Sequence, residues 1–192
     1  MRLTPKIQKA IIKATLLHDC QIRKGDDLPY VVHPFSVAYI LSCYTDDENV
    51  IIAGLLHDVI EEVKGYGFES IKKDFGKKSA EIVQEATEDK ELKKKGNRET
   101  WKRRKDHYIE NLKVCSQEAL MVSAADKIHN LLSIIEAYKI QGEKLWKRFN
   151  ADKKDSLWFY TEVLKMIKKR LQNEIIQEFE KTHKEARKIF IK

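Results

Sequence analysis

Val50-Ile51-Ile52-Ala53-Gly54-Leu55-Leu56, followed at once by His57-Asp58-Val59-Ile60-Glu61-Glu62, is the stretch on which the fold turns. Its first seven residues leave no polar face, so a helix built from them belongs in the middle of a bundle. Four ionisable groups then follow within six residues. Burying charged groups is costly unless they are paired or bind a metal. On a continuous helix His57 and Glu61 share a face, while Asp58 lies three residues before Glu61 and four before Glu62. One imidazole and several carboxylates therefore converge on one end of a buried helix.

The rest of the chain supplies the surrounding bundle. Its 192 residues suit one domain, and with only 7 Gly and 3 Pro against 35% charged residues the composition favours helix. Thr4-Pro5 reads as an N-cap and first helical residue, with Ile7, Ala10, Ile11, Ala14 and Leu17 at helical spacing behind it. Gly25 to Pro29 breaks that helix. Tyr30-Val31-Val32 leads extended into His33-Pro34, and Pro34 opens a second helix to about Tyr44. Asp46 or Asp47 caps the apolar third helix. After Gly65 and Gly67 come short helices at Phe68–Phe75 and Lys78–Thr87, then a charged surface loop at Glu88–Asn97. Longer helices are expected at about Arg98–Val114, Gln117–Ala137 and Lys153–Gln172, with an amphipathic tail to Phe190. The expectation is an all-α helical bundle, a single domain over 1–192. Residues 142–192 form a C-terminal helical extension whose last helix packs weakly or serves a neighbouring subunit, which leaves a homo-oligomer open.

Several function classes drop out. No apolar run approaches the length of a membrane span, and the N-terminus lacks the h-region of a signal peptide. Cys20, Cys43 and Cys115 show no metal-ligand spacing and read as reduced cysteines of a cytoplasmic protein. The net charge of +7 permits nucleic-acid binding, a polyanionic small substrate or merely a solvated surface. Its basic stretches, Lys90–Lys105 and the tail from Lys165, do not interleave aromatics as a single-strand platform does, which argues against nucleic acid as the partner.

A His-Asp dipeptide alone is weak, and the chain has two. His18-Asp19 has no second ligand nearby and reads as a structural decoy. His57-Asp58 has company: His33 at the mouth of the preceding helix, and Asp126 following Leu120-Met121-Val122 on a later apolar helix, with Asn130 four residues on. Two imidazoles and two carboxylates make a mixed N/O set suited to Mn²⁺, Fe²⁺ or Zn²⁺. Such a metal lowers the pKa of a bound water and polarises a phosphoryl oxygen.

These residues follow the H…HD…D pattern, and the chain resembles the HD phosphohydrolase superfamily. Within it, Gln21-x-Arg23-Lys24…Pro29-Tyr30-x-x-His33-Pro34, Leu55-Leu56-His57-Asp58-Val59-x-Glu61 and Ala125-Asp126-Lys127-x-x-Asn130 resemble the hydrolase domain of the RelA/SpoT alarmone enzymes, over about residues 4 to 140. The resemblance implies a Mn²⁺-dependent enzyme, though another divalent transition metal would also suit the set, that removes the 3′-pyrophosphate of guanosine tetra- or pentaphosphate. By motif, His33, His57, Asp58 and Asp126 hold the metal. Glu61 and Glu62 form the acidic pair that positions or deprotonates water, Arg23 contacts the base with Lys24 beside it, and Asn130 approaches the sugar. The family's acidic pair is usually Glu-Asp followed by Thr, whereas this chain has Glu61-Glu62-Val63.

Outside the motifs, Arg103, Arg104 and Lys105 follow Trp101 and suit either a clamp for distal phosphates or a solvated basic face. Lys127, beside a metal ligand, is expected in the pocket. His107, His129 and His183 read as structural or exposed, and Trp146, Phe149, Trp158, Phe159 and Tyr160 as core. Two rival functions stay open: another nucleotide phosphohydrolase of the same fold, such as an HD-type nucleotidase, and an inactive nucleotide- or RNA-binding module.

Overall fold

In the computed structural model, which describes residues 2–23, 27–88 and 98–191, the regular elements are helices, with one isolated bridge between Ile22 and Pro29. The expected all-α bundle is what the chain forms. In chain order the helices are α1 (Pro5–Leu17), α2 (Val32–Ser42), α3 (Glu48–Leu56), α4 (Val59–Glu62), α5 (Phe68–Phe75), α6 (Lys77–Ala86), α7 (Arg98–Asn111), α8 (Gln117–Gln141), α9 (Lys153–Arg170) and α10 (Ile175–Phe190), with a 3₁₀ helix over Gly142–Arg148 between α8 and α9.

Side-chain caps set four of the starts. Thr4, Asp47, Ser116 and Asp152 each accept a hydrogen bond from the backbone of the first turn of α1, α3, α8 and α9. Helix α3 is buried along Val50–Leu56 and packs between α1, α2 and α6, as an all-apolar helix must. Its Gly54 has a reason: a Cβ there would meet Leu41 Cδ1 at 2.5 Å, so glycine lets α2 and α3 close together. That approach brings His33 of α2 beside His57 at the end of α3.

Three expectations change. Helix α2 starts at Val32, not Pro34: Tyr30 and Val31 form a turn rather than an extended lead, and proline is tolerated in a first turn, whose N–H groups have no intrahelical partner. His33 is thereby fixed on helical backbone. Second, the chain is not one helix from Glu48 to Glu62; it breaks at His57-Asp58 and restarts as α4, with Asp58 O accepting from both Glu61 N (3.0 Å) and Glu62 N (2.9 Å). Third, α8 runs past Ala137 to Gln141, since nothing breaks it before Gly142, whose φ of 56° ends it.

The last helix does not pack weakly. Ile175, Phe179 and Ala186 of α10 are fully buried against α8 and α9. Asn173 Nδ2 donates to Tyr44 O (3.2 Å), tying the tail back to α2. The expected loop over Glu88–Asn97 lies, beyond Glu88, outside the described residues. Replacing Phe179 with alanine is expected to destabilise the protein by about 3–5 kcal/mol. Denaturant unfolding measures this, and a loss near zero would show the helix to be dispensable to the core.

Candidate active site

The break at His57-Asp58 decides the local chemistry. His57 ends α3 with its Nδ1–H donating to Gly54 O (2.8 Å), which leaves Nε2 as a lone-pair donor. That atom lies 3.1 Å from His33 Nε2 and 3.2 Å from Asp58 Oδ2; His33 Nε2 lies 3.4 Å from Asp58 Oδ2 and 3.2 Å from Asp126 Oδ1. Donor atoms about 2.1 Å from a first-row divalent ion stand about 3.0–3.4 Å apart, so these separations fit a metal. His33, His57 and Asp58 have ligand atoms all within 4.8 Å of one another, and Asp126 joins the group through His33. Among the described residues no other His, Cys, Asp and Glu cluster meets that test.

Hydrogen bonds around the four groups aim them. Tyr30, held by Tyr30 N→Gln21 O (2.8 Å), donates its hydroxyl to Asp58 Oδ2 (2.7 Å). Lys127 Nζ and Asn130 Nδ2 each take one oxygen of Asp126. His33 Nδ1 lies 2.7 Å from His129 Nδ1. Burial drives the pKa of His129 down to about 3, helped by His33 and Arg23, so His129 is neutral. His33 Nε2 faces His57, Asp58 and Asp126. His129 is structural, as expected, but it orients a candidate ligand, which its spacing in sequence does not reveal.

The electrostatics agree. Burial opposes charge on His57, but Asp58 and then Asp126 outweigh it and push its pKa up to about 9. Burial would raise both carboxyls; His57 and His33 hold Asp58 below the ordinary range, and Lys127 with the two imidazoles does the same for Asp126. Two carboxylates stay ionised and hold positive charge between them.

The cluster forms the floor of a cavity of about 660 Å³, within the range of small-ligand sites. Glu61 and Glu62 of α4 both line it. Glu61 Oε1 accepts from Glu88 N (2.8 Å), whereas Glu62 is the acid that faces Tyr30. Arg104, Lys105 and Lys127 also line the cavity, as do Arg23, Asn130 and Ser133. Arg103 is exposed and outside the cavity, because α7 turns it away from Arg104; of the expected cluster, Arg104 and Lys105 line the cavity. Lys24 lies outside the described residues. His18 is buried but stacks on Tyr30 at 4.8 Å and bonds Gln21, away from the ligand set, while Asp19 is exposed. The first His-Asp pair is structural, as expected. Of the aromatics assigned to the core, Phe159 is buried, but Phe149 and Tyr160 face the cavity. Glu88, placed in a surface loop by its charged neighbours, is 9% exposed and receives Arg104 and Lys105.

Comparison with known proteins follows the same residues. An HD-domain family model matches residues 10–155. Guanosine-3′,5′-bis(diphosphate) 3′-pyrophosphohydrolase of Drosophila melanogaster is 38% identical over 130 residues, 66% of this chain and 68% of that enzyme. The enzyme of the same name from Xenopus tropicalis is 40% identical over 117 residues, 59% of this chain and 61% of its own length. A solved structure of a metazoan ortholog of SpoT, described as hydrolysing ppGpp, superposes with a TM-score of 0.76 at 27% identity, over 96% of this chain and 97% of that one. That superposition takes in the C-terminal helices beyond the family match.

A proton on His57 and a metal on the same nitrogen exclude each other. The His57 pKa is raised, so the metal-free group is protonated below about pH 9 and must lose that proton on binding. Apparent Mn²⁺ affinity is therefore expected to climb with pH, by up to about tenfold per unit, and to level off above the His57 pKa. Calorimetry in buffers of different ionisation enthalpy reads the released proton; pH-independent affinity would remove His57 from the ligand set.

Proposed function

The chain belongs to the HD-domain family, and we propose that it is a Mn²⁺-dependent hydrolase that removes the 3′-pyrophosphate of guanosine 3′,5′-bis(diphosphate). The observation that carries this reading is the cavity itself. Two imidazoles and two carboxylates converge at its floor, acids stand on one side, and a cluster of cations lines another.

In this proposal His33, His57, Asp58 and Asp126 hold the metal. When bound, it lowers the pKa of water and polarises a phosphoryl oxygen. Mn²⁺ suits a mixed imidazole and carboxylate set without thiolate, and other divalent transition metals share that preference. Glu61 and Glu62 reach the space in front of the ligands; one accepts the proton of the attacking water. Arg104, Lys105 and Lys127 bind phosphate oxygens and offset the charge that grows on them. Arg23, fixed by long contacts to Asn130 Oδ1 and Ser133 Oγ (3.4 Å each), lies where it can meet the base, and Asn130 adjoins the sugar while also steadying Asp126. Water adds to the phosphorus bonded to the 3′ oxygen, the P–O3′ bond breaks and the 3′ oxygen leaves as the hydroxyl, so the products are GDP and pyrophosphate, or GTP and pyrophosphate from the pentaphosphate. The chain 1–192 works as one HD-type unit. Three unpaired cysteines and a nucleotide substrate support a cytoplasmic location, and among the described residues no helix is long and apolar enough to cross a membrane.

A nucleotide panel tests the reading. With Mn²⁺-loaded protein, guanosine tetraphosphate is expected to be cleaved at least about tenfold more efficiently than any dNTP or monophosphate, a gap of about 1.4 kcal/mol. Chromatography should find GDP and pyrophosphate. Cleavage of a monophosphate alone would favour a general nucleotidase, and salt-sensitive binding of nucleotide or RNA without turnover a binding module. Glu61→Gln should keep its metal and lose turnover by roughly 10²–10⁴-fold; unchanged turnover would shift the proton acceptor to Glu62.

A further inference from the structure

Glu88 is a carboxylate in an anion-binding wall. Its Oε2 accepts from Arg104 Nη1 (3.3 Å), and Lys105 Nζ bonds its Oε1. The three side chains are only 10–15% exposed, yet all three line the cavity. Glu88 is the carboxylate paired with Arg104 and Lys105, while Lys127 Nζ donates to Asp126. Rings fix these cations in place: Lys105 Nζ sits 4.3 Å from the centroid of Phe159, and Lys127 Nζ 4.5 Å from that of Tyr108. Arg104 still has a donor to spare. Its Nε is buried and finds no acceptor among the described residues. Glu88 also meets α4 through its backbone, whose N–H donates to Glu61 Oε1 (2.8 Å).

We propose that Glu88 is a built-in stand-in for a substrate phosphate: it occupies the Arg104–Lys105 pair in the free protein and must yield it, wholly or in part, when a pyrophosphate group enters. The proposal rests on the hydrolase reading above for the identity of that group. Two buried cations without a counter-charge would destabilise the empty protein; with Glu88 in place, the site is stable but partly neutralised. The contact sets a threshold. A ligand must offer enough negative charge and enough oxygens to outcompete an internal carboxylate, which a pyrophosphate does better than a single phosphate monoester. Because the bond to Glu61 comes from the main chain, exchanging the Glu88 side chain removes the competitor and leaves that bond available.

Glu88→Gln is the test. It keeps size and hydrogen bonding but removes the charge. Calorimetric titration of Mn²⁺-loaded protein, dialysed free of excess metal and assayed for metal afterwards, with inorganic pyrophosphate should give a Kd lower by about fivefold or more than the unaltered protein. The melting temperature of the ligand-free variant should fall and recover with pyrophosphate. A Glu88 that served only the fold would also lower the melting temperature, but would leave affinity unchanged or weaken it. That outcome overturns the proposal, as does an absence of pyrophosphate binding in both proteins. If Glu88→Gln does not fold, Glu88→Asp carries the test, since it draws the carboxylate back from the cations and should tighten pyrophosphate by about twofold or more; no tightening counts against the proposal. The titration needs no turnover. Should guanosine tetraphosphate prove not to be a substrate, the hydrolase reading falls while pyrophosphate affinity still decides the role of Glu88.

Discussion

Four ionisable side chains buried together constrain everything else in this molecule. His33, His57 and Asp126 are each less than 10% exposed, and Asp58 is only slightly more open. Two carboxylates cannot stay ionised at such a place without positive charge between them. The architecture answers that demand. Gly54 lets α2 and α3 close, the break at His57-Asp58 turns both side chains inward, and Asp126 enters from the middle of α8. Around them Tyr30, Lys127, Asn130 and His129 each bond one member of the set. Such outer partners aim and tune ligands rather than adding further ones.

The cavity above that floor divides its labour by charge. Glu61 and Glu62 extend the acidic side from α4, while Arg104 and Lys105 of α7, with Lys127 of α8, make a basic wall. Glu88 joins the two halves, with its side chain on the cations and its backbone on Glu61. In the proposed reaction, an acid beside the attacking water and cations on the phosphate oxygens is the division that phosphoryl transfer needs. Glu61 and Glu62 both line the cavity.

Much of this was legible from local patterns. The unbroken apolar run of α3 announces its burial, and His57-Asp58 draws notice because it follows that run. Caps at Thr4, Asp47, Ser116 and Asp152 obey residue chemistry readable one turn at a time. What stayed hidden depends on tertiary contact. Glu88 sits among Lys, Asp and Glu residues and looks solvated; only the packing of α7 brings Arg104 and Lys105 to it. Arg103 and Arg104 are adjacent in sequence, yet a helix turns one out and one in. Pro34 suggests a helix start at its own position, but first-turn tolerance lets α2 begin earlier, at Val32. The tail reads as a charged amphipathic helix that packs weakly, although the face carrying Ile175, Phe179 and Ala186 is wholly buried.

The central claim is that His33, His57, Asp58 and Asp126 together hold one catalytic metal ion. Anomalous diffraction at the manganese edge, from crystals grown with Mn²⁺, tests it most directly. The account predicts a single strong peak about 2.0–2.3 Å from both His Nε2 atoms and from a carboxylate oxygen of each aspartate. A peak elsewhere, or none at this cluster despite bound manganese in the crystal, would contradict it.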